Sequence, residues 1–198
     1  TRSPPSSQVM DEMTAFLAWF NQQTAPSGGT PAMDGVARAA LAHLWFETIH
    51  PFEDGNGRVG RAIVDLAMAQ HHQAPLRLYG LSRQLLAERN GYYEALNAAQ
   101  RGSTDATAWV VWFAQQVALA CEQSGRVIDT VLAKARFWTT PAAAALNERQ
   151  RKVVQRLLDD GDGGFLGGLN AQKYIKLTGT SKPTATRDLA DLVAAGLL

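Results

Sequence analysis

Apolar residues recur at helical spacing along most of this 198-residue chain. Over residues 9–20 they stand three or four positions apart, and Asp11 and Glu12 fall in the first turn, where acidic side chains favour a helix start. The same spacing predicts a second helix over 32–49 and a third over 58–69. An alternating apolar and polar pattern, which would indicate a strand, is not found before residue 160. The pattern therefore predicts an all-α fold.

The second half of the chain continues this helical spacing. Its predicted helices cover residues 82–101, 104–122, 124–138, 148–158, 170–178 and 182–195. Between the third and fourth of these helices, a run of Pro and Ala changes the composition near residues 139–147. We therefore predict two domains, residues 1–140 and residues 141–198.

Composition adds limits on environment and partners. The chain is 46% hydrophobic and 19% charged with a formal net charge of +1, so no overall charge attracts nucleic acid or lipid headgroups. Its single cysteine, Cys121, permits no internal disulfide, which favours a reducing, cytoplasmic location. No apolar run approaches the ~20 residues that a membrane span needs, so no membrane contact is predicted.

The most informative segment is residues 50–61, His-Pro-Phe-Glu-Asp-Gly-Asn-Gly-Arg-Val-Gly-Arg, between the second and third predicted helices. A helix N-terminus attracts anions through its free N–H groups, and glycines let a phosphate approach the backbone closely. Arg58 and Arg61 lie three positions apart on one helix face, where two guanidinium groups suit a polyphosphate. The segment therefore predicts a phosphate site.

Two further side chains of this segment suit phosphoryl chemistry. Asp54 offers an oxygen ligand for Mg2+, which usually takes one or two protein carboxylates and completes its shell with phosphate and water. His50, at the end of the preceding helix, can accept a proton from an incoming hydroxyl. Each feature alone is more often structural, but their joint occurrence in twelve positions favours transfer of a phosphorus-centred group.

Residues 50–61 match every fixed position of His-x-Phe-x-(Asp/Glu)-Gly-Asn-Gly-Arg-x-x-Arg, so the chain resembles the Fic family. The resemblance implies a Fic helical core that transfers AMP from ATP, with Mg2+ on Asp54, to a Ser, Thr or Tyr hydroxyl of a target protein. His50 would be the general base, and Phe52 would anchor the loop in the core. The implied catalytic residues are His50, Asp54, Asn56, Arg58 and Arg61. The implied phosphate-binding residues are Glu53, Asp54, Gly55, Asn56, Gly57, Arg58 and Arg61, with the N–H groups of Gly55, Asn56 and Gly57 as an anion hole.

The resemblance extends beyond this segment. Tyr92, Tyr93 and Gln100 resemble adenosine-contacting positions of the family, although core packing explains the two tyrosines equally well. His43 is interpreted as a hydrogen-bonded core histidine. The family's target-docking flap and its inhibitory motif, (Ser/Thr)-x-x-x-Glu-(Gly/Asn), are not found in the sequence. We therefore expect a phosphate site without that inhibitor.

Residues 146–198 resemble the winged-helix domain, a helix-turn-helix variant, that is often fused to Fic domains, here with a truncated wing. The residues that would contact DNA are Lys182, Thr184, Thr186 and Arg187. Residues 141–198 contain eight Lys or Arg against six Asp or Glu, and a net charge of +2 is low for a DNA-binding module. Protein contact or a homodimer is therefore an equally good interpretation.

The leading hypothesis is a cytoplasmic protein adenylyltransferase. One alternative is a DNA-binding regulator whose Fic core senses a nucleotide, and another is a Fic-fold transferase of a different phosphate-linked group. Removal of AMP from proteins is a third hypothesis, but in the family that chemistry relies on the inhibitory glutamate.

Overall fold

The computed structural model describes residues 4–22, 33–72, 79–101, 104–160 and 168–198. These residues form helices and no strands, so the predicted all-α fold is confirmed. The helices are α1 (Val9–Gln22), α2 (Gly35–Ile49), α3 (Asn56–His72), α4 (Leu81–Ala87), α5 (Arg89–Arg101), α6 (Thr107–Trp138), α7 (Pro141–Ala144), α8 (Glu148–Asp160), α9 (Ala171–Thr178) and α10 (Lys182–Ala194), and a 3-10 turn at Ser6–Gln8 precedes α1.

The chain forms two compact units, unit 1 (Thr1–Arg126) and unit 2 (Val127–Leu198). The division falls within α6, whereas the sequence places the domain boundary at residues 140/141, and that boundary stays a prediction. Within the described ranges, no helix combines the length and the hydropathy that a membrane span requires.

Helix α2 is the central helix of unit 1. Asp34 caps its N-terminus by accepting hydrogen bonds from the N–H groups of Val36 and Ala37. Its buried residues lie on all sides and include three alanines, which let neighbouring helices approach closely. Trp109 of α6 is buried against it and donates its indole N–H to the carbonyl of Ala40 at 2.7 Å. Because α2 is enclosed by other helices, its C-terminal end is held firmly, and that end leads into the 50–61 segment.

The structure divides one predicted helix, joins two others and contains the short helix α7, which the sequence pattern does not predict. The predicted helix over 82–101 is interrupted at Glu88, where α4 ends and α5 begins. Asn90 and Gly91, in the first turn of α5, are weak helix formers, which lowers the tendency of one helix to run through this region. Conversely, α6 runs without a break through Gln123, the one residue between the predicted helices over 104–122 and 124–138.

Unit 2 has its own apolar core, built around α8, α9 and α10. The residues at its centre are Val153, Val154, Tyr174, Ala185 and Leu192. Gly179 ends α9 with a positive φ of 71°, which gives the predicted turn before α10.

Four residues at the start of α10 carry the predicted DNA contacts. Lys182, Thr186 and Arg187 are exposed, and Thr184 is half-buried with its hydroxyl 3.0 Å from that of Ser181. The described part of unit 2 contains no strand that would form a wing. The winged-helix assignment, the DNA contacts and the homodimer therefore stay predictions.

Candidate active site

Helix α2 ends at His50 in a left-handed backbone conformation, with φ 51° and ψ 57°. The His50 N–H donates to the carbonyl of Phe46 at 2.9 Å. Among the residues that the structure describes, His50 is the one non-glycine with a positive φ. This conformation costs an L-residue about 1 kcal/mol, and strain of this kind concentrates at functional positions. The turn brings the His50 imidazole, 49% exposed, to the mouth of the following loop.

The loop is closed by the side chain of Asn56, which is only 3% exposed. Its Oδ1 accepts from the N–H of Phe52 at 3.0 Å, and its Nδ2 donates to the carbonyl of the same residue at 2.5 Å. The prediction that the Phe52 ring anchors the loop in the core is wrong. That ring is 49% exposed and only flanks Phe46, with 6.3 Å between ring centroids. The loop is therefore held by the Asn56 side chain, which binds the backbone of Phe52. Sequence reasoning missed this role of Asn56.

A cavity of about 290 Å3, which we call the anion cavity, opens at the N-terminus of α3. Its lining residues are His50, Glu53, Asp54, Gly55, Asn56, Gly57, Arg58 and Arg61. The N–H groups of Asn56 and Gly57 belong to the first turn of α3, where a helix supplies no carbonyl partner. The N–H of Gly55 instead donates to Asp54 Oδ1 at 2.7 Å, so one of the three predicted anion-hole donors is engaged by a carboxylate. The structure thus brings the predicted phosphate-site residues together.

Asp54 also pairs with Arg58, whose Nη2 lies 3.1 Å from Asp54 Oδ2. Both side chains are exposed, by 93% and 74%, and a solvated pair of this kind contributes at most about 1 kcal/mol. Either group can therefore be released to another partner at little cost. The described residues hold no group of three or more His, Cys, Asp or Glu suited to a metal ion. Glu53 and Asp54 are both exposed carboxylates that line the anion cavity, and one or two carboxylates beside such a cavity fit Mg2+, which takes much of its shell from phosphate oxygens and water.

A second cavity of about 440 Å3, the nucleoside-sized cavity, adjoins the first because Arg61 lines both. Its lining residues are Arg61, Ser82, Leu85, Leu86, Arg89, Tyr92 and Tyr93. The ring of Tyr93 is 48% exposed, and the Arg89 guanidinium lies 5.8 Å from its centroid. Exposed aromatic and cationic groups of this kind are suited to stacking on a planar ligand. This cavity includes both predicted tyrosines.

Tyr92 also belongs to the core, so it fits both interpretations of the sequence. Its hydroxyl lies 3.0 Å from Nε2 of His43, and its ring packs against Trp109 and Trp112. Burial raises the pKa of Tyr92 above its ordinary value and lowers the pKa of His43 to about 4. His43 is fully buried, which confirms that it is a hydrogen-bonded core histidine.

Gln100 lies away from these two tyrosines. Its Nε2 donates to the hydroxyl of Thr48 at 3.3 Å, and the residue lines a separate, mostly apolar cavity with Trp19 and Trp45. The structure therefore does not bring Gln100 to the nucleoside-sized cavity, and its predicted contact with adenosine stays a prediction.

Sequence reasoning missed Glu47, a buried carboxylate next to the site. Glu47 is 7% exposed, and its Oε2 lies 3.9 Å from Nδ1 of His50. Burial raises the pKa of Glu47, against the opposing attraction of His50 and Arg61. The signal in the sequence is an acidic residue three positions before the histidine inside an otherwise apolar helix.

The fold is helical, and an imidazole, an exposed carboxylate and two arginines surround a helix N-terminus. These are features of proteins that bind nucleotide phosphates. Comparison with known proteins narrows that class: residues 1–68 match a family described as the Fic/DOC family. A solved structure titled "Crystal structure of a Fic family protein from Desulfovibrio desulfuricans G20" superposes with a TM-score of 0.51 at 19% identity, and the match covers 97% of this chain and 50% of that one. At this identity the likeness shows the fold.

Curated proteins related in sequence carry transferase names. "Protein adenylyltransferase fic-1" of Caenorhabditis briggsae is 33% identical over 94 residues, which is 48% of this chain and 16% of that protein. "Uridine 5'-monophosphate transferase" of Xanthomonas campestris is 31% identical over 86 residues, 43% of this chain and 16% of that protein. "Probable protein adenylyltransferase aq_aa38" of Aquifex aeolicus is 29% identical over 100 residues, 50% of this chain and 27% of that protein. The chain thus matches between 16% and 27% of the length of these relatives.

Proposed function

We propose that this chain transfers AMP from ATP to a Ser, Thr or Tyr hydroxyl of a target protein and releases pyrophosphate. One observation carries the proposal: the anion cavity, at the N-terminus of α3, shares Arg61 with a nucleoside-sized cavity. In the proposed complex, the first cavity takes the phosphates and the second takes the nucleoside. The names of the curated relatives, adenylyltransferase and uridine monophosphate transferase, support a nucleotidyl group as the one that moves.

In the proposed reaction, the oxygen of the acceptor hydroxyl forms a bond to the α-phosphorus of ATP. The bond between that phosphorus and the oxygen bridging to the β-phosphate breaks, and pyrophosphate leaves with the electron pair. The His50 imidazole accepts the hydroxyl proton, a task for which its exposed position at the anion cavity suits it. Arg58, Arg61 and the N–H groups of the first turn of α3 stabilise the negative charge that develops on the phosphates.

Asp54 would hold Mg2+ in this reaction, and the ion would supply neutralisation of the phosphate charge. Opening of the contact between Asp54 and Arg58 would present Oδ2 of Asp54 to the ion. Since the pair is exposed, its loss costs little, and the freed guanidinium becomes available to a phosphate.

Incubation with α-labelled ATP, Mg2+ and a cell lysate tests the proposal, because label should enter protein. His50→Ala should lower the rate by about 100-fold or more, the usual contribution of a general base. His72→Ala is the matched control, since His72 is an exposed histidine at the far end of α3 and should transfer label at the wild-type rate. Incorporation that survives His50→Ala, or a wild-type chain that labels no protein, contradicts the proposal.

Parallel reactions identify the transferred group. The relative named uridine 5'-monophosphate transferase makes UMP the second candidate, so α-labelled UTP is compared with α-labelled ATP at equal concentration. Faster labelling from UTP would replace AMP with UMP. Labelling from γ-labelled ATP, with none from α-labelled ATP, would identify a phosphotransferase instead.

A further inference from the structure

Glu47 lies in the last turn of α2, three residues before His50, and almost no solvent reaches it. Its Oε2 faces Nδ1 of His50 at 3.9 Å, and its Oε1 has no hydrogen-bond partner among the residues that the structure describes. A buried carboxylate oxygen without a partner is costly, by about 1–3 kcal/mol or more. Packing alone does not require a carboxylate here, because an apolar side chain of similar volume would avoid that cost.

The fold leaves room for this carboxylate at Gly60 of α3. A Cβ at position 60 would lie 2.5 Å from Oε1 of Glu47, closer than atoms can approach. Three further groups face Glu47: His43 of α2, Tyr92 of α5 and Arg61 of α3. His43 is neutral near pH 7, because burial lowers its pKa to about 4, and Tyr92 is neutral because burial raises its pKa. Glu47 therefore has two remaining partners among these groups: Arg61, which is cationic, and His50, which can accept a proton.

We propose that Glu47 is a positioning residue for His50: its carboxylate accepts the Nδ1–H hydrogen bond and so leaves Nε2 unprotonated, ready to take the proton of the acceptor hydroxyl. The proposal rests on the function proposed above. The hydrogen bond at one ring nitrogen decides which tautomer a neutral histidine adopts. The carboxylate also stabilises the imidazolium that forms when Nε2 has taken the proton, as in the triads of hydrolases.

The present distance of 3.9 Å needs to shorten by about 1 Å to reach the usual length of a hydrogen bond. Catalytic hydrogen bonds are commonly long in the ligand-free state and tighten when substrate binds. The half-exposed imidazole has space for such a rotation, whereas the enclosed carboxylate is the fixed partner.

Two replacements separate positioning from packing. Glu47→Met removes the acceptor but keeps an unbranched side chain of similar length, and apolar replacement of a buried charge often preserves or increases stability. Glu47→Asp keeps the charge. We expect Glu47→Met to lower kcat by about 10- to 100-fold with KM for ATP unchanged and a thermal midpoint at or above that of the wild type. Glu47→Asp should recover part of the lost kcat, and Glu94→Gln, at an exposed acid of α5, should leave kcat unchanged.

An NMR measurement tests the same proposal without any turnover. In 15N-labelled protein, the ring nitrogens of His50 are assigned by the signals that His50→Ala loses. Neutral His50 should carry its proton on Nδ1 in the wild type, and on Nε2 in Glu47→Met. If Glu47→Met does not fold, Glu47→Asp is compared with the wild type, and a shift of the ring proton towards Nε2 is expected.

The two proposals can fail separately. A wild-type chain that transfers no nucleotide refutes the proposed function, and the tautomer of His50 then decides the role of Glu47 alone. A wild-type His50 protonated on Nε2, or a folded Glu47→Met variant with wild-type kcat, overturns the inference about Glu47.

Discussion

Gly60 offers a direct test of how closely α2 and α3 pack beneath the candidate active site. It lies in the interior of α3 and is buried. A Cβ at this position would meet Oε1 of Glu47 at 2.5 Å and both Cε1 and Nδ1 of His43 at 3.0 Å. Because both side chains are enclosed, Gly60→Ala must displace them, even though alanine is the better helix former.

Two opposing terms set the expected magnitude. Alanine in place of glycine in a helix interior gains about 1 kcal/mol of free energy of unfolding. Overpacking of an enclosed site costs about 1–3 kcal/mol. The net loss for Gly60→Ala is therefore about 1 kcal/mol. Gly125→Ala isolates the first term, because Gly125 lies inside α6 and, in the described part of the chain, its added Cβ meets no atom within 4 Å beyond the adjacent backbone of that helix. That variant should gain up to about 1 kcal/mol.

Urea unfolding followed by tryptophan fluorescence measures both variants. Unit 1 contains both glycines and four of the five tryptophans of the chain, Trp19, Trp45, Trp109 and Trp112. The two midpoints should move in opposite directions and differ by about 1–3 kcal/mol in unfolding free energy. If Gly60→Ala is stabilised as much as Gly125→Ala, the close approach of α3 to Glu47 and His43 is refuted.

Three further predictions follow from particular contacts. Trp109→Phe leaves a carbonyl of α2 without its indole donor and should lower the unfolding free energy of unit 1 by about 1–3 kcal/mol in urea titrations; no loss would contradict the contact. The Arg149 hydrogen bond holds the pKa of Asp188 below its ordinary value. The stability that this contact contributes is therefore present above about pH 4 and is lost as pH falls further. Thermal melts of Asp188→Asn should show a weaker acid dependence than those of the wild type. Arg61→Ala should weaken binding of ATP with Mg2+ by about tenfold or more in calorimetry, because a charge-assisted contact contributes about 1.5 kcal/mol or more. The control variant Arg126→Ala, in α6, should bind as the wild type does.

The sequence predicts the helices well where a hydrophobic face continues and less well where local propensity competes with packing. The sequence predicts a break at Gln123, between helices over 104–122 and 124–138, yet α6 continues through it, and the Gln123 side chain donates there to Oε1 of Gln84 at 2.8 Å. The break at Glu88 gives no signal in the hydrophobic pattern, because apolar residues on both sides of it keep helical spacing. Periodicity records neither the contact at Gln123, which joins residues 39 positions apart, nor the weak helix propensity that follows Glu88.

The residues of the anion cavity could be predicted because the cavity is built almost entirely from one loop and one helix turn. Every residue that lines it lies between His50 and Arg61, so contiguity in sequence becomes proximity in space. The side-chain roles were harder to predict. Phe52 reads as an anchor by its apolar character, but the loop is closed by Asn56, whose amide matches both backbone groups of that residue. An amide in a polar loop gives no signal of such a bridge.

The two motif arginines show what spacing alone leaves undecided. Arg58 and Arg61 are identical in type and share a helix face, so the sequence assigns them one role. In the structure, Arg58 is exposed and paired with Asp54, whereas Arg61 is half-buried and borders both cavities. Arg61 also acts on the pKa of the enclosed Glu47. A charge with fewer water neighbours interacts more strongly at the same distance, so Arg61, which borders both cavities, is also the motif arginine that interacts with the buried carboxylate behind His50.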